Sequence, residues 1–235
     1  MTAAPQGARD ADPTAEAPAA AVLDDLLMNV IFDGWTRRAL DDALRRAEED
    51  GRIAPGDGAI LFPGGVPDAL AAFSDWADRR MLAAVEAEGE AFAGLKVREK
   101  IAFLVRARLE ALETHKEAVR RGLGVLALPH NARLAARLTW RTCDRMWRAA
   151  GDRSTDINWY SKRGLLAGVW SATVLYWLDD KSAGHEETWA FLDRRIANVL
   201  TIGRRIGKVQ RLGDLAEAPF RLAARLRRRT AGADR

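Results

Sequence analysis

The sequence predicts an all-α protein. Ala, Leu and Arg dominate its 235 residues, whereas the β-branched residues that favour strands are few. Apolar residues also recur at three- and four-residue spacing along most of the chain, which is the pattern of a helix with one buried face. We therefore expect a bundle of about nine to ten helices.

The beginning of the chain lacks this periodicity. Residues 1–21 are rich in Ala, Pro, Asp and Glu, and a segment of this composition is expected to be a disordered tail. It has no apolar centre of the kind found in signal peptides, and it is too acidic for a transit peptide.

Three short elements and one longer helix are predicted within residues 22–90. Thr36 follows Gly34 and is placed to cap a helix that ends before Gly51. Pro67 suits the first position of a longer helix. The predicted elements are Leu23–Ile31, Thr36–Glu49, a short apolar piece at Ala59–Phe62, and a helix from Pro67 to Glu88.

Residues 91–206 are predicted to form a larger helical body. Its helices are Lys96–Leu112, Thr114–Leu126, Pro129–Ala149, Ile157–Asp179 and Glu186–Ile206. The helix Ile157–Asp179 follows three good N-cap residues, Ser154, Thr155 and Asp156. Because it has no polar face, we expect it to be buried in a bundle or a subunit interface.

Short N-terminal helices before a larger helical body are the arrangement of TetR-type regulators, whose second and third helices form a helix-turn-helix. The corresponding recognition segment here is Asp57–Phe73. No Lys or Arg occurs between Arg52 and Arg79, whereas four Asp do, and acidic groups are repelled by phosphates. The helix-turn-helix region at 22–90 is therefore predicted to be degenerate, with no nucleic-acid partner. A TetR-type repressor that senses a hydrophobic ligand is the alternative.

The sequence offers no recognisable active site. His115, His130 and His185 are scattered, and none lies three residues after a Glu, as in carboxylate di-iron bundles. Cys143 is the single cysteine, and no phosphate-binding, dinucleotide or nucleophile-elbow motif is present. We predict that the protein is not an enzyme and uses no metal or cofactor.

The C-terminal residues 207–235 are predicted to form a basic amphipathic helix and tail. Residues 203–235 hold ten Lys or Arg and three Asp or Glu, out of chain totals of 37 and 33. A Leu stripe opposite an Arg-rich face suits an anionic membrane surface. The alternative is a terminal helix packed on the body. The predicted membrane contacts are Leu215, Phe220, Arg221, Leu222, Arg225, Leu226 and Arg228.

The most specific stretch is Asp152–Arg163, in which Trp159 and Tyr160 stand at the start of the buried helix and serve either packing or recognition. Together with Gly34–Thr36 and Leu61–Gly65, this stretch resembles the ubiquinone-biosynthesis accessory lipid-binding family. The resemblance extends from about residue 22 to residue 206.

The resemblance implies a TetR-like all-α fold, a homodimer and no catalysis. It implies that the partners are an isoprenoid lipid or ubiquinone intermediate, held in an apolar interior, and a ubiquinone-ring hydroxylase. A bacterial, cytoplasmic protein at the inner face of the membrane is expected. The implied docking patch comprises Asp156, Asn158, Trp159, Tyr160 and Arg163.

A lipid chamber requires large apolar side chains on converging helices. The candidate lipid contacts are Trp76, Leu104, Leu123, Leu126, Trp140, Trp147, Leu165 and Val169. The alternative for each of them is an ordinary core or dimer contact. The leading hypothesis is a lipid-binding accessory protein that presents a quinone intermediate to a hydroxylase.

Overall fold

The computed structural model describes residues 13–154 and 157–199, and within these ranges it confirms the all-α prediction. These residues contain ten α-helices and no strand. The helices are α1 (Pro13–Asp33), α2 (Arg37–Glu49), α3 (Asp57–Leu61), α4 (Val66–Glu88), α5 (Glu90–Gly94), α6 (Val97–Ala111), α7 (Lys116–Leu126), α8 (Ala132–Ala149), α9 (Ile157–Asp179) and α10 (186–199). None of them is long and apolar enough to cross a membrane.

The first helix begins earlier than the sequence predicted. Residues 13–21, expected to belong to a disordered tail, form the first turns of α1. Ala is the strongest helix former, so an Ala-rich stretch extends a helix that is anchored further along. Val22, Leu26 and Val30 supply that anchor, because their side chains are buried in the core.

The junction between α1 and α2 is fixed to the helical body by a buried indole. Gly34 adopts a left-handed conformation with φ 68°, and Thr36 then caps α2 by accepting a hydrogen bond from the Ala39 N–H. The Trp35 indole N–H donates to the carbonyl oxygen of Ala118 on α7, at 2.9 Å. The N-terminal helices are therefore tied to the body at this point.

The predicted recognition segment is divided into two helices. α3 spans only Asp57–Leu61, and α4 begins at Val66 after a turn. The Gly64 N–H donates to the Asp68 carboxylate at 2.6 Å, which closes the turn at the start of α4. The short helix α5 was not predicted.

The body is built around α4, which packs against α1, α6 and α8, while α8 packs against α9. One face of α9 is exposed, contrary to the expectation of a helix buried all round. This face carries Gly164, Gly168 and Ser171, and Leu175 on it is 61% exposed.

Candidate functional site

An apolar cavity of about 390 Å³ lies in the helical body between α4, α6, α7, α8 and α9. Small-molecule sites span roughly 300–1,000 Å³ and are lined mostly by apolar side chains. The large apolar residues that line it are Leu70, Phe73, Leu112, Val119, Leu123, Leu126, Leu138, Trp170, Val174 and Leu175. Its size and lining suit an apolar ligand the size of a drug molecule.

The two ends of the cavity differ in exposure and polarity. Ser171 and Leu175 on α9 and Ala127 after α7 are exposed, so they mark the mouth. At the other end Arg108 and Thr142 are buried, with relative exposures of 5% and 1%. The cavity therefore runs from an open mouth at α9 to a polar inner end between α6 and α8.

The inner end is organised by the fully buried Asp78 on α4. Its carboxylate accepts hydrogen bonds from Arg108 Nε at 2.7 Å, Thr142 Oγ at 2.9 Å and Arg145 Nη1 at 3.1 Å. Arg108 Nη2 donates to the carbonyl and hydroxyl oxygens of Ser74, each at 3.1 Å. A buried charge requires such pairing to offset its lost hydration.

Two of the predicted lipid contacts, Leu123 and Leu126 on α7, line this cavity. Leu104 and Val169 are buried in the hydrophobic core but do not line it, and Leu165 is half-buried. The sequence pattern identified apolar helix faces correctly, but it did not show which of them leave a space between them.

The three tryptophans predicted as lipid contacts lie outside this cavity. Trp140 and Trp147 are on α8 outside the cavity, and the Trp147 indole donates to the carbonyl oxygen of Lys162 at 3.0 Å. Trp76 lines a separate groove of about 880 Å³ between α4 and α6, beside Arg80 and His115. Charged residues border much of that groove, so it suits an apolar ligand less well.

Three aromatic rings meet where α8 and α9 pack, and we call Trp140, Trp159 and Tyr160 the aromatic cluster. The Trp159 and Tyr160 ring centres are 4.7 Å apart in an edge-to-face arrangement, and Trp140 lies 5.5 Å from Trp159. Tyr160 is 60% exposed, whereas Trp140 and Trp159 are half-buried. The cluster combines a partly buried base with an exposed ring.

Arg163 lies beneath this cluster and contacts the Trp159 ring. Its side chain is 1% exposed, and its guanidinium lies 4.3 Å from the Trp159 ring centre. Arg163 Nε donates to Asp144 at 2.6 Å, and Nη1 donates to Asp152 at 3.1 Å. Arg163 was predicted as a docking residue, and the structure places it under Trp159 rather than at the surface.

The Asp152 carboxylate should make the stability of the fold sensitive to acid. Burial alone would raise the pKa of Asp152, but hydrogen bonds from Lys162, Ser154 and Arg163 outweigh it and hold the pKa at about 2. A carboxyl group with a lowered pKa stabilises the fold above its unfolded pKa of 3.8 and loses this contribution as pH falls toward 2.

We therefore expect the thermal midpoint to fall more between pH 4 and pH 2 in the wild-type protein than in an Asp152→Asn variant. Thermal scans at closely spaced pH values measure this difference. Parallel pH profiles for the two proteins would contradict the assignment.

Two of the predicted docking residues, Asp156 and Asn158, are not fully described by the structure. Asp156 lies outside the described residues, and the side chain of Asn158 is not among those described. Ser154, predicted as an N-cap, donates its hydroxyl to Asp152 at 2.7 Å and accepts from Lys162. The sequence analysis included Asp152 only as part of the family stretch and did not identify Asp144, because acidic residues at these positions also fit solvent-exposed sites.

The predicted membrane contacts lie outside the described residues. They are Leu215, Phe220, Arg221, Leu222, Arg225, Leu226 and Arg228. The membrane surface therefore stays a prediction from the sequence.

The predicted recognition segment, Asp57–Phe73, is divided between α3 and the start of α4. It has no Lys or Arg. Ile60 on α3 is 78% exposed. A recognition helix needs polar side chains that reach base edges and cations that contact phosphates.

The described residues contain no group of three or more His, Cys, Asp or Glu placed to hold a metal ion. Burial raises the pKa of the Cys143 thiol to about 12. A thiol is nucleophilic as its thiolate, so Cys143 is not suited to covalent catalysis.

Comparison with known proteins gives a match to a named family within the C-terminal part of the chain. Residues 132–203, which include α8, α9 and the aromatic cluster, match the COQ9 family model. Over 110 residues, or 47% of its length, this chain is 38% identical to the ubiquinone biosynthesis protein COQ9-B, mitochondrial, of Xenopus laevis. The human relative, the ubiquinone biosynthesis protein COQ9, is 37% identical over the same share.

These matches cover little more than a third of the relatives' own length, 38% of the Xenopus protein and 35% of the human one. The Drosophila melanogaster protein of the same name is 29% identical over 87% of this chain and 62% of its own length. A crystal structure of a TetR transcriptional regulator from Nitrosomonas europaea superposes with a TM-score of 0.60 and 21% identity. It covers 80% of this chain and 99% of that one, and it shows that the fold is TetR-like.

Proposed function

We propose that the chain is a non-catalytic accessory protein of ubiquinone biosynthesis, because residues 132–203, here called the family region, match the COQ9 family model. It binds an isoprenoid or quinone intermediate in the apolar cavity and presents it to a ubiquinone-ring hydroxylase. The observation that carries the proposal is the cavity itself, because α8 and α9 from the family region form one side of it.

The aromatic cluster is the proposed docking site for the hydroxylase. Binding hot spots are enriched in Trp, Tyr and Arg and are surrounded by groups that exclude water. Tyr160 projects from a base formed by Trp159 and the buried Arg163. A base that is already ordered reduces the entropy lost when a partner binds.

The proposal also includes a homodimer and contact of the C-terminal helix with an anionic membrane surface. A repressor that senses a hydrophobic ligand is supported by the TetR-like fold alone. The short α3, without a basic residue, argues against it.

A bulky side chain at the mouth of the cavity tests ligand binding. Ser171 is exposed on α9 and lines the cavity, so a Ser171→Trp variant should fold and narrow the mouth. If the indole displaces about five ligand atoms at about 0.3 kcal/mol each, farnesol affinity should fall about tenfold. Isothermal titration with farnesol measures this change.

The matched control is Gly164→Trp, which places the same side chain on the same exposed face of α9 but outside the cavity. A Cβ at Gly164 meets no atom within 4 Å. The control should bind farnesol like the wild type. Equal binding by the wild type and Ser171→Trp, or a wild-type protein that binds no farnesol, would refute the cavity as the lipid site.

A further inference from the structure

The inner end of the apolar cavity adjoins a cluster of arginines and aspartates. Four arginines, on α4, α6 and α8, surround two aspartates on α4. Arg145 Nη1 donates to Asp75 at 2.5 Å and to Asp78 at 3.1 Å, so one cation is shared by both anions. The members of this cluster are Asp75, Asp78, Arg79, Arg108, Arg141 and Arg145.

One arginine of the cluster is incompletely paired. Arg141 Nη2 donates to the carbonyl oxygen of Ala71 at 3.1 Å, but its buried Nε atom has no hydrogen-bond partner. Burial lowers the pKa of the Arg141 guanidinium, and the neighbouring Arg145 and Arg108 lower it further, against the opposing effect of Asp75 and Asp78. An additional hydrogen-bond acceptor near this cluster would offset the repulsion between these arginines.

Arg108 brings the positive charge to the cavity wall. Its Nε and Nη2 atoms are bonded to Asp78 and Ser74, while its Nη1 atom has no hydrogen bond to any described residue. The guanidinium also lies 4.6 Å from the ring centre of Trp170, which lines the cavity as well. The inner end therefore offers a charged donor beside an aromatic face.

We infer that this cavity takes an amphiphile with its head inward, and that the head is an aromatic ring bearing a hydrogen-bond-accepting oxygen. The inference rests on the proposed lipid-binding function and specifies the ligand of the same cavity. A carboxylate or phenolic oxygen is held by Arg108, and the ring packs beside Trp170. The chain then leaves past Ser171 and Leu175.

The volume of the cavity suits an amphiphile of this kind. About 390 Å³ is at the lower end of the range for small-molecule sites, so it accommodates a substituted ring and the first part of a chain. A chain-inward ligand would place apolar carbons against the buried guanidinium and leave that donor without an acceptor, which carries a desolvation penalty.

Three probes with the same chain and different heads test the inference: dodecylbenzene, 4-dodecylphenol and 4-dodecylbenzoate. Hydrogen bonds to charged groups are stronger than neutral ones. We expect the wild-type protein to bind the benzoate about tenfold more tightly than dodecylbenzene, with the phenol between them. Competition against a fluorescent fatty-acid analogue measures all three affinities.

Arg108→Met should reduce the benzoate preference to about onefold while leaving the affinity for dodecylbenzene unchanged. Because loss of one charge can unfold the variant, an Asp78→Asn/Arg108→Met double variant removes both partners of the buried pair. The matched control, Arg145→Met, also removes a partner of Asp78, but Arg145 does not line the cavity. The control should retain the preference.

The outcomes separate the two proposals. If the wild type binds dodecylbenzene but shows no preference for the benzoate, the head-inward inference is wrong and the lipid-binding function stands. If the preference for the benzoate survives in both Arg108 variants, the head-inward inference is likewise wrong and the lipid-binding function stands. If none of the probes binds, both proposals are overturned.

Discussion

An Asp78→Ala variant is expected to lose about 3–5 kcal/mol of unfolding free energy. Asp78 is fully buried and accepts hydrogen bonds from Arg108, Thr142 and Arg145. Removal of one partner of a buried ion pair typically costs this much, because the remaining charge keeps its desolvation penalty without compensation. Here the remaining charge is mainly Arg108, which is itself 5% exposed.

The measurement is the thermal midpoint together with a urea titration. For a chain of this size, a loss of 3–5 kcal/mol lowers the midpoint by roughly 6–20 °C. Asp41→Ala is a suitable control, since Asp41 pairs with Arg37 on the exposed face of α2, and such a pair contributes about 0.3–0.5 kcal/mol. Similar midpoints for the two variants would show that Asp78 is not the centre of the cluster.

Helix periodicity predicted most of the fold because it is a local signal. Thr36 at the start of α2 and Pro67 at the start of α4 are helix-start signals that a short window of sequence can show. The early start of α1 was missed because Ala and Pro within residues 13–21 also suit an unstructured tail, and burial of α1 against its neighbours depends on contacts distant in sequence.

The cavity was only partly predictable. Leu123 and Leu126 were identified from an apolar helix face, but an apolar position that lines a space and one that fills the core have the same sequence pattern. Arg108 was not identified, and Asp78 was counted among the four Asp expected to repel phosphates, although the structure buries it. They lie 30 residues apart, and each fits an exposed helix position until α4 and α6 are packed together.

The second large effect is expected on partner binding, at the aromatic cluster. We expect a Tyr160→Lys variant to bind a ubiquinone-ring hydroxylase at least about 30-fold more weakly, because loss of a hot-spot side chain costs about 2 kcal/mol or more. Tyr160 is 60% exposed, so the thermal midpoint should change little. Surface plasmon resonance with immobilised hydroxylase measures the affinity.

The control for this prediction is Met28→Lys, which places the same cation at a residue of matched exposure, 57%, on α1. It should bind the hydroxylase like the wild type. Equal weakening by both variants would indicate a nonspecific effect of charge, and full affinity of Tyr160→Lys would refute the docking site.

Arg163→Met distinguishes positioning from direct contact in the same assay. Arg163 is buried under Trp159 and pairs with Asp144 and Asp152, so its loss should lower both hydroxylase affinity and the thermal midpoint. Tyr160→Lys should lower affinity alone. Since Arg163 supports the ring from below, a variant that loses stability but binds the hydroxylase normally would show that the partner does not depend on how Trp159 is held.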